Sequence, residues 1–345
     1  MKPNIIASYI EITNKCNLNC ITCYNRSGMN TSQQEITFEQ LKIIIKQLNA
    51  YGCKRFSISG GEPCLHSEFL KILDYIKCTP QYKFDIVTNG TIFNNNLIDL
   101  FISSSNLSIQ ISLDGSCEKI NSVIRGKGNF AKSEKLFRAL NVTGRKPHVK
   151  MVISKLNIND VENFFDYICN NGGIPEFSFI NRSGNADNEW ENKVITANEK
   201  LNILKLINEL NIKYSISAIL PLCTNECPLD KQDSPLNIAI KTDGTIIPCQ
   251  LLYSNKFKLS NIFDFNETEF LDNYSHISKM VQIRKETNYG CCKCILKDVC
   301  QKGCMAMAEY FSGYPLGTDG ECKYRKLQFI GFQLDKIIKE RVVLK

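Results

Sequence analysis

From residue 8 to about 215, short β-branched and aromatic runs alternate with segments whose apolar residues recur at helical spacing. Few folds accommodate that rhythm, which points to repeated β-α units around a parallel sheet. Six runs read as strands: Tyr9–Thr13, Arg55–Ser59, Phe84–Thr88, Leu107–Ser112, His148–Ser154 and Glu176–Ile180. The first helix is expected from Thr37, where Thr-Phe-Glu-Gln40 suits a capping box and Phe38, Leu41, Ile45 and Leu48 share one face. Further helices are expected over Ser67–Lys77, Phe130–Asn141, Asp160–Asn170 and Asn198–Asn211. Six units are too few to close an eight-stranded barrel but enough for an open one. The expected fold is therefore α/β, a partial (β/α)6 TIM-like barrel with function at the C-terminal ends of its strands.

Directly after the first strand stands Cys16-Asn-Leu-Asn-Cys20-Ile-Thr-Cys23, a C-x3-C-x2-C run. A short loop with this spacing can wrap one cubane iron–sulfur cluster and, having three cysteines, leaves one iron without a protein ligand. A disulfide plus a spare thiol, or a zinc site with a distant fourth ligand, are the alternatives. Strand two runs into Ser59-Gly60-Gly61-Glu62-Pro63, whose glycines permit close backbone approach and whose glutamate suits an amine. Strand three ends in Thr88-Asn89-Gly90, and strand four in Ser112-Leu113-Asp114-Gly115, followed by Arg125, whose fork matches a carboxylate. Taken singly, each of these short motifs also reads as a turn.

Together they resemble the signature of the radical S-adenosylmethionine (SAM) enzymes. The resemblance implies that Cys16, Cys20 and Cys23 hold a 4Fe-4S cluster whose open iron chelates SAM. It implies further that Gly60, Gly61 and Glu62 meet the SAM amino group, and that Asn89, Ser112 and Arg125 complete the pocket. In this family SAM is cleaved to a 5′-deoxyadenosyl radical, which takes a hydrogen atom from the substrate. The residue before the third cysteine, commonly aromatic in the family, is Thr22, and Tyr24 follows instead as the aromatic side chain near SAM. Asp114 is a candidate for the SAM ribose or for catalysis, with a turn cap as the alternative. Cys64 and Cys117, after strands two and four, are candidates for a catalytic thiol.

Past residue 215 the β-α rhythm stops and cysteines return. Cys223 and Cys227 precede an apparent hairpin, Ile238–Ile247, with a two-residue loop at Asp243-Gly244, and Cys249 ends its second strand. Then come Cys291, Cys294, Cys300 and Cys304 in the order C-x2-C-x5-C-x3-C, and finally Cys322. Zinc ribbons are the sober alternative for such pairs. The whole order, Gly244-x4-Cys249 included, resembles the SPASM extension of radical SAM enzymes, which divides the chain into a radical SAM barrel over 1–215 and an auxiliary-cluster domain over 216–345. By that resemblance Cys223, Cys227, Cys249 and Cys304 hold one auxiliary 4Fe-4S cluster. Cys291, Cys294, Cys300 and Cys322 hold the other, with Cys292 able to substitute.

Composition agrees with a soluble globular protein: 43% hydrophobic and 22% charged residues. The start of the chain lacks a secretory signal and no apolar run reaches bilayer length, so a cytoplasmic protein away from membranes is expected. There, seventeen cysteines read as metal ligands and buried thiols before disulfides. The formal charge of +7 counts cysteine as neutral; eleven metal-bound thiolates and their clusters would bring it to roughly +2, and the lysines are scattered rather than run together, so nucleic acid is not expected as a partner. A local basic patch could dock an acidic electron donor of flavodoxin or ferredoxin type.

The SPASM resemblance implies maturation of a ribosomally made peptide by a crosslink, thioether or oxidation. No leader-binding segment precedes strand one, so a separate recognition protein is expected to present the peptide, or a groove between the domains. A haem-precursor or small-molecule dehydrogenase or decarboxylase is the first alternative. A sulfatase-maturase-like activity is the second, against which stands Gln250 where those enzymes place an aspartate base.

Overall fold

The computed structural model describes residues 4–29, 32–142, 144–218, 236–287, 291, 293–297, 300 and 303–331. Six strands alternate with helices: β1 Ile5–Thr13, β2 Arg55–Gly60, β3 Lys83–Thr88, β4 Leu107–Ser112, β5 His148–Ile153 and β6 Ile174–Phe179. They are parallel throughout, each hydrogen-bonded to the next in sequence. The expected partial barrel is thus observed, each strand within two residues of its expected start except β1, which begins four residues early.

Seven helices accompany these strands: α1 Phe38–Ala50, α2 Phe69–Cys78, α3 Asn95–Ser103, α4 Glu118–Arg125, α5 Asn129–Asn141, α6 Val161–Asn170 and α7 Ala197–Tyr214. Thr37 caps α1 through the expected reciprocal pair with Gln40, and Thr196 caps α7 in the same way with Glu199. Helices α3 and α4 were not foreseen. In α3, Asn94 caps the Leu97 amide and buries Leu97, Leu100 and Phe101, a pattern present in the sequence. In α4 only Asn121 and Ile124 are buried, too few apolar residues to give a period.

Strand β1 is central because both its edges are used. β2 lies on one side, and on the other the parallel strand β7, Leu236–Ile240, pairs Ile10 with Ile240. β8, Thr245–Ile247, and β9, Ser260–Asn261, continue antiparallel, giving one nine-stranded sheet in the order β6-β5-β4-β3-β2-β1-β7-β8-β9. The hairpin expected at Asp243-Gly244 is present with a longer loop. Gly244 N–H closes a turn on the Lys241 carbonyl, Gly244 itself takes φ +82°, and Lys241 N–H meets the Thr245 carbonyl. The loop therefore holds three residues, with glycine at the left-handed position that such a bulged turn demands.

One hydrophobic core runs from Ile10, Phe56 and Ile86 of the parallel strands to Phe257, Phe270 and Met305 of the C-terminal region. Helices α8, Glu267–Thr287, and α9, Met305–Ser312, belong to that region. Among the described residues no helix is long and apolar enough to cross a membrane.

Candidate active site

The cysteine loop begins where β1 ends, and backbone hydrogen bonds fasten it there. Gly61 N–H donates to the Thr13 carbonyl and Glu62 N–H to the Lys15 carbonyl, both at 2.7 Å. Neither glycine tolerates a side chain: a Cβ on Gly60, at φ +131°, would overlap the Thr13 carbonyl, and one on Gly61 the Lys15 carbonyl. This close approach is what Gly-Gly provides.

Glu62 is fully buried, and its carboxylate accepts from Thr88 Oγ1 at 2.7 Å, Asn89 N–H at 2.7 Å and Cys64 N–H at 3.2 Å. Burial raises its pKa, with these donors opposing the shift. Asn89 spans from β3 to the loop: its Nδ2 donates to Asn17 Oδ1 at 2.9 Å and lies 4.0 Å from the Cys16 sulfur. The far side of the loop is held by residues after β4 and β6. Ile21 N–H donates to the Ile124 carbonyl. Asn185 N–H donates to the Cys23 carbonyl at 2.8 Å, and its side-chain amide bonds Asn19 Oδ1 and the Cys20 carbonyl, each at 3.0 Å.

Arg125, at the end of α4, directs Nη1 to within 3.9 Å of the Cys20 sulfur. Its Nε lies 2.8 Å from Asp114 Oδ2, an ion pair too bent to be a hydrogen bond, and Asp114 Oδ1 accepts from Val152 N–H at 2.8 Å. Asp114 is thus engaged as the counter-ion of Arg125. Ser112 ends β4 beside Lys150 of β5. Cys117 is exposed at the start of α4, and among the described contacts none joins its thiol to the three loop cysteines, Glu62 or Arg125. Cys64 is half-buried, its sulfur 3.9 Å from Thr88 Oγ1.

Cys16, Cys20 and Cys23 are free thiols. Burial pushes the Cys16 thiol up to about 12, with Glu62, Cys20 and Cys23 adding to the rise. Burial also raises Cys20, opposed by Arg125. Three thiolates can coexist there only around a strongly positive centre, which iron supplies, so the donor set fits a cluster. Among the described residues no group of three or more His, Cys, Asp or Glu side chains is arranged to hold a single metal ion.

Two further side chains on β1 belong to this site and were not singled out from the sequence. Tyr9 donates to Ser59 Oγ at 2.5 Å and shares a 2.8 Å hydrogen bond with Tyr24, which follows Cys23. Both phenols are half-buried, and desolvation raises both, Tyr9 to about 12. Glu11, 3% exposed, accepts from Asn25 Nδ2 at 3.2 Å and from the Tyr253 hydroxyl at 3.1 Å. Burial lifts its carboxyl to about 7, with Lys241 among the groups opposing. The signal was the alternation of polar Tyr9, Glu11 and Thr13 with Ile10 and Ile12, which puts the polar set on the opposite face from the isoleucine core.

In the C-terminal region Cys249, Cys291, Cys294, Cys300 and Cys304 are half-buried and Cys322 is exposed. Leu296 N–H lies 3.5 Å from the Cys294 sulfur, an amide placed as a donor to a metal-bound thiolate would be. Cys223, Cys227 and Cys292 lie outside the described residues.

A sequence profile of the radical SAM superfamily matches residues 10–168. The mycofactocin maturase MftC of Mycolicibacterium smegmatis is 27% identical over 327 residues, covering 90% of this chain and 81% of that protein. Among solved structures, native anSMEcpe with bound AdoMet superposes with a TM-score of 0.76 at 18% identity, covering 99% of this chain and all of that one. Streptococcus suis SuiB bound to its precursor peptide SuiA gives 0.73 at 18% identity, covering 91% and 75%. The cysteine loop, the glycine pair against it and the parallel strands that carry both therefore lie in a stretch, residues 10–168, that matches a radical SAM domain, and SAM and a 4Fe-4S cluster are the cofactors such a domain takes.

Proposed function

We propose that this protein modifies a ribosomally made peptide, forming a crosslink, a thioether or an oxidised residue. The carrying observation is the relationship to the mycofactocin maturase MftC over 90% of the chain, which takes in the barrel and much of the cysteine-rich region beyond it. The fold shared with SuiB, solved with a precursor peptide, supports the same reading.

When bound, SAM and the cluster supply a 5′-deoxyadenosyl radical that removes a hydrogen atom from the substrate. Cys16, Cys20 and Cys23 hold the iron. Gly60, Gly61 and Glu62 offer the SAM amino group a charged, dry edge beside the loop, with Asn89 next to it. Ser112 and Arg125 would hold the SAM carboxylate and hydroxyl groups, Asp114 keeps Arg125 in place, and Tyr24 would line the pocket. Glu11 ties the end of the cysteine loop at Asn25 and the C-terminal region at Tyr253 to β1.

The region from 216 to 345 carries two auxiliary 4Fe-4S clusters in this reading. Cys223, Cys227, Cys249 and Cys304 ligate one, and Cys291, Cys294, Cys300 and Cys322 the other. With every iron ligated by protein, such clusters would supply electron transfer and leave substrate binding to the barrel. A flavodoxin or ferredoxin-type protein supplies the electron for SAM cleavage, and a separate protein presents the peptide leader, in the cytoplasm.

The test is anaerobic reconstitution with iron and sulfide, reduction with dithionite and addition of SAM. Formation of 5′-deoxyadenosine is expected, and co-expression with short peptides encoded in neighbouring reading frames is expected to change the mass of one of them. Absence of 5′-deoxyadenosine from a fully reconstituted sample defeats the enzymatic reading.

A further inference from the structure

A buried ion pair in the C-terminal region ties together two cysteines that the proposed ligation assigns to different clusters. Arg325 and Asp319 form a two-pronged pair, Nη1 to Oδ2 at 2.6 Å and Nη2 to Oδ1 at 2.7 Å, with side chains 8% and 0% exposed. The same Asp319 Oδ2 accepts from Cys304 N–H at 3.0 Å, and Oδ1 accepts from Glu321 N–H at 3.1 Å. Arg325 also lies close enough to Cys300 for the two groups to couple electrostatically. Between the two cysteines stands Gly303, at φ +74°, where a Cβ would overlap both Asp319 Oδ2 and Arg325 Nη1. A second buried arginine, Arg284 of α8, fixes the same strap by donating to the Gly303 carbonyl at 2.7 Å and the Gly317 carbonyl at 3.1 Å.

A buried pair of this kind is weak as a source of stability, because desolvation offsets much of the attraction. Its geometry has a clearer consequence. One carboxylate and one guanidinium, locked together, hold the main-chain amide of Cys304 and put a positive charge beside Cys300 from the same point. Building on the two-cluster reading above, we propose that Asp319 and Arg325 are positioning residues that hold Cys300 and Cys304 in register, so that the two auxiliary clusters are set as one unit. Lysine cannot replace this arrangement, since a point charge on a flexible stem does not bridge a carboxylate and a thiolate in a fixed plane.

The test uses full-length protein carrying C16A, C20A and C23A, so that only auxiliary clusters remain. With residues 319 and 325 unchanged, about eight iron atoms per chain are expected, four for each cluster. A chain without auxiliary iron defeats the two-cluster reading itself and is separable from failure of the inference. In that background R325K keeps the charge and loses the fork. Both reduced clusters are then expected to show altered electron paramagnetic resonance signals and to release iron at roughly 10- to 100-fold lower chelator concentration, the usual effect of losing such a supporting contact. D319N is expected to act in the same direction. Wild-type spectra and iron retention in R325K, or a change confined to one cluster, overturn the proposal. Should D319N fail to fold by circular dichroism, R325K alone decides.

Discussion

Arg125 Nη1 stands 3.9 Å from the sulfur of Cys20, so this guanidinium is aimed at the cysteine loop. Asp114 holds it there from 2.8 Å, and both side chains are nearly or fully buried. Arg125→Met leaves Asp114 as an uncompensated buried charge. Unfolding in denaturant is expected to show a loss of about 3–5 kcal/mol, and calorimetry to show weakened SAM binding. A variant with wild-type stability would mean that Asp114 has another partner.

Glu11 gives the protein a specific pH dependence. Its folded carboxyl keeps the proton up to about pH 7, against 4.5 for the unperturbed group, because burial disfavours the charge. Between those values the folded state binds the extra proton, so stability falls as pH rises from about 4.5 to about 7. Glu11→Gln removes this contribution. The wild type is expected to lose on the order of 3 kcal/mol relative to the variant across that window, measured by unfolding at pH 4.5, 6 and 8. Parallel curves would refute the assignment.

Gly61→Ala tests the docking of the glycine pair. A methyl group meets the Lys15 carbonyl, and the backbone is forced away from the cysteine loop. Overpacking of this kind costs about 1–3 kcal/mol, and the two 2.7 Å bonds from Gly61 and Glu62 are lost with it. Iron bound after reconstitution is expected to fall, read by the cluster's visible absorption.

Cys117→Ala is expected to be silent. The thiol is exposed, so stability should change by less than about 0.5 kcal/mol and 5′-deoxyadenosine formation should be unchanged. A large loss of turnover at unchanged stability would restore Cys117 as a catalytic thiol.

Much of the fold and the site could be read in advance because the signals are local. Strand and helix periods lie within ten residues, and Cys16-x3-Cys20-x2-Cys23, Gly60-Gly61-Glu62 and Ser112-Leu-Asp114 each sit on one loop. Other contacts leave no local mark. Asn185 fastens Asn19 and Cys20 from more than 160 residues away, and nothing around Arg182–Ala186 separates that buttress from an ordinary glycine loop. Tyr9 and Glu11 read simply as strand residues until Tyr24 and Tyr253 are seen to reach them.

The sequence by itself determined the parallel β-α order, the position of the cysteine loop after β1 and the glycines that let the next loop close on it, because these follow from spacing and backbone freedom. Only the tertiary structure decided that β7 takes the free edge of β1, and that Arg125 is shared between Asp114 and Cys20. It also decided that Asp319 pairs with Arg325 while accepting from the Cys304 amide. Each depends on burial and on partners distant in sequence, and the strength and direction of a charge are set by the medium and neighbours that folding brings to it.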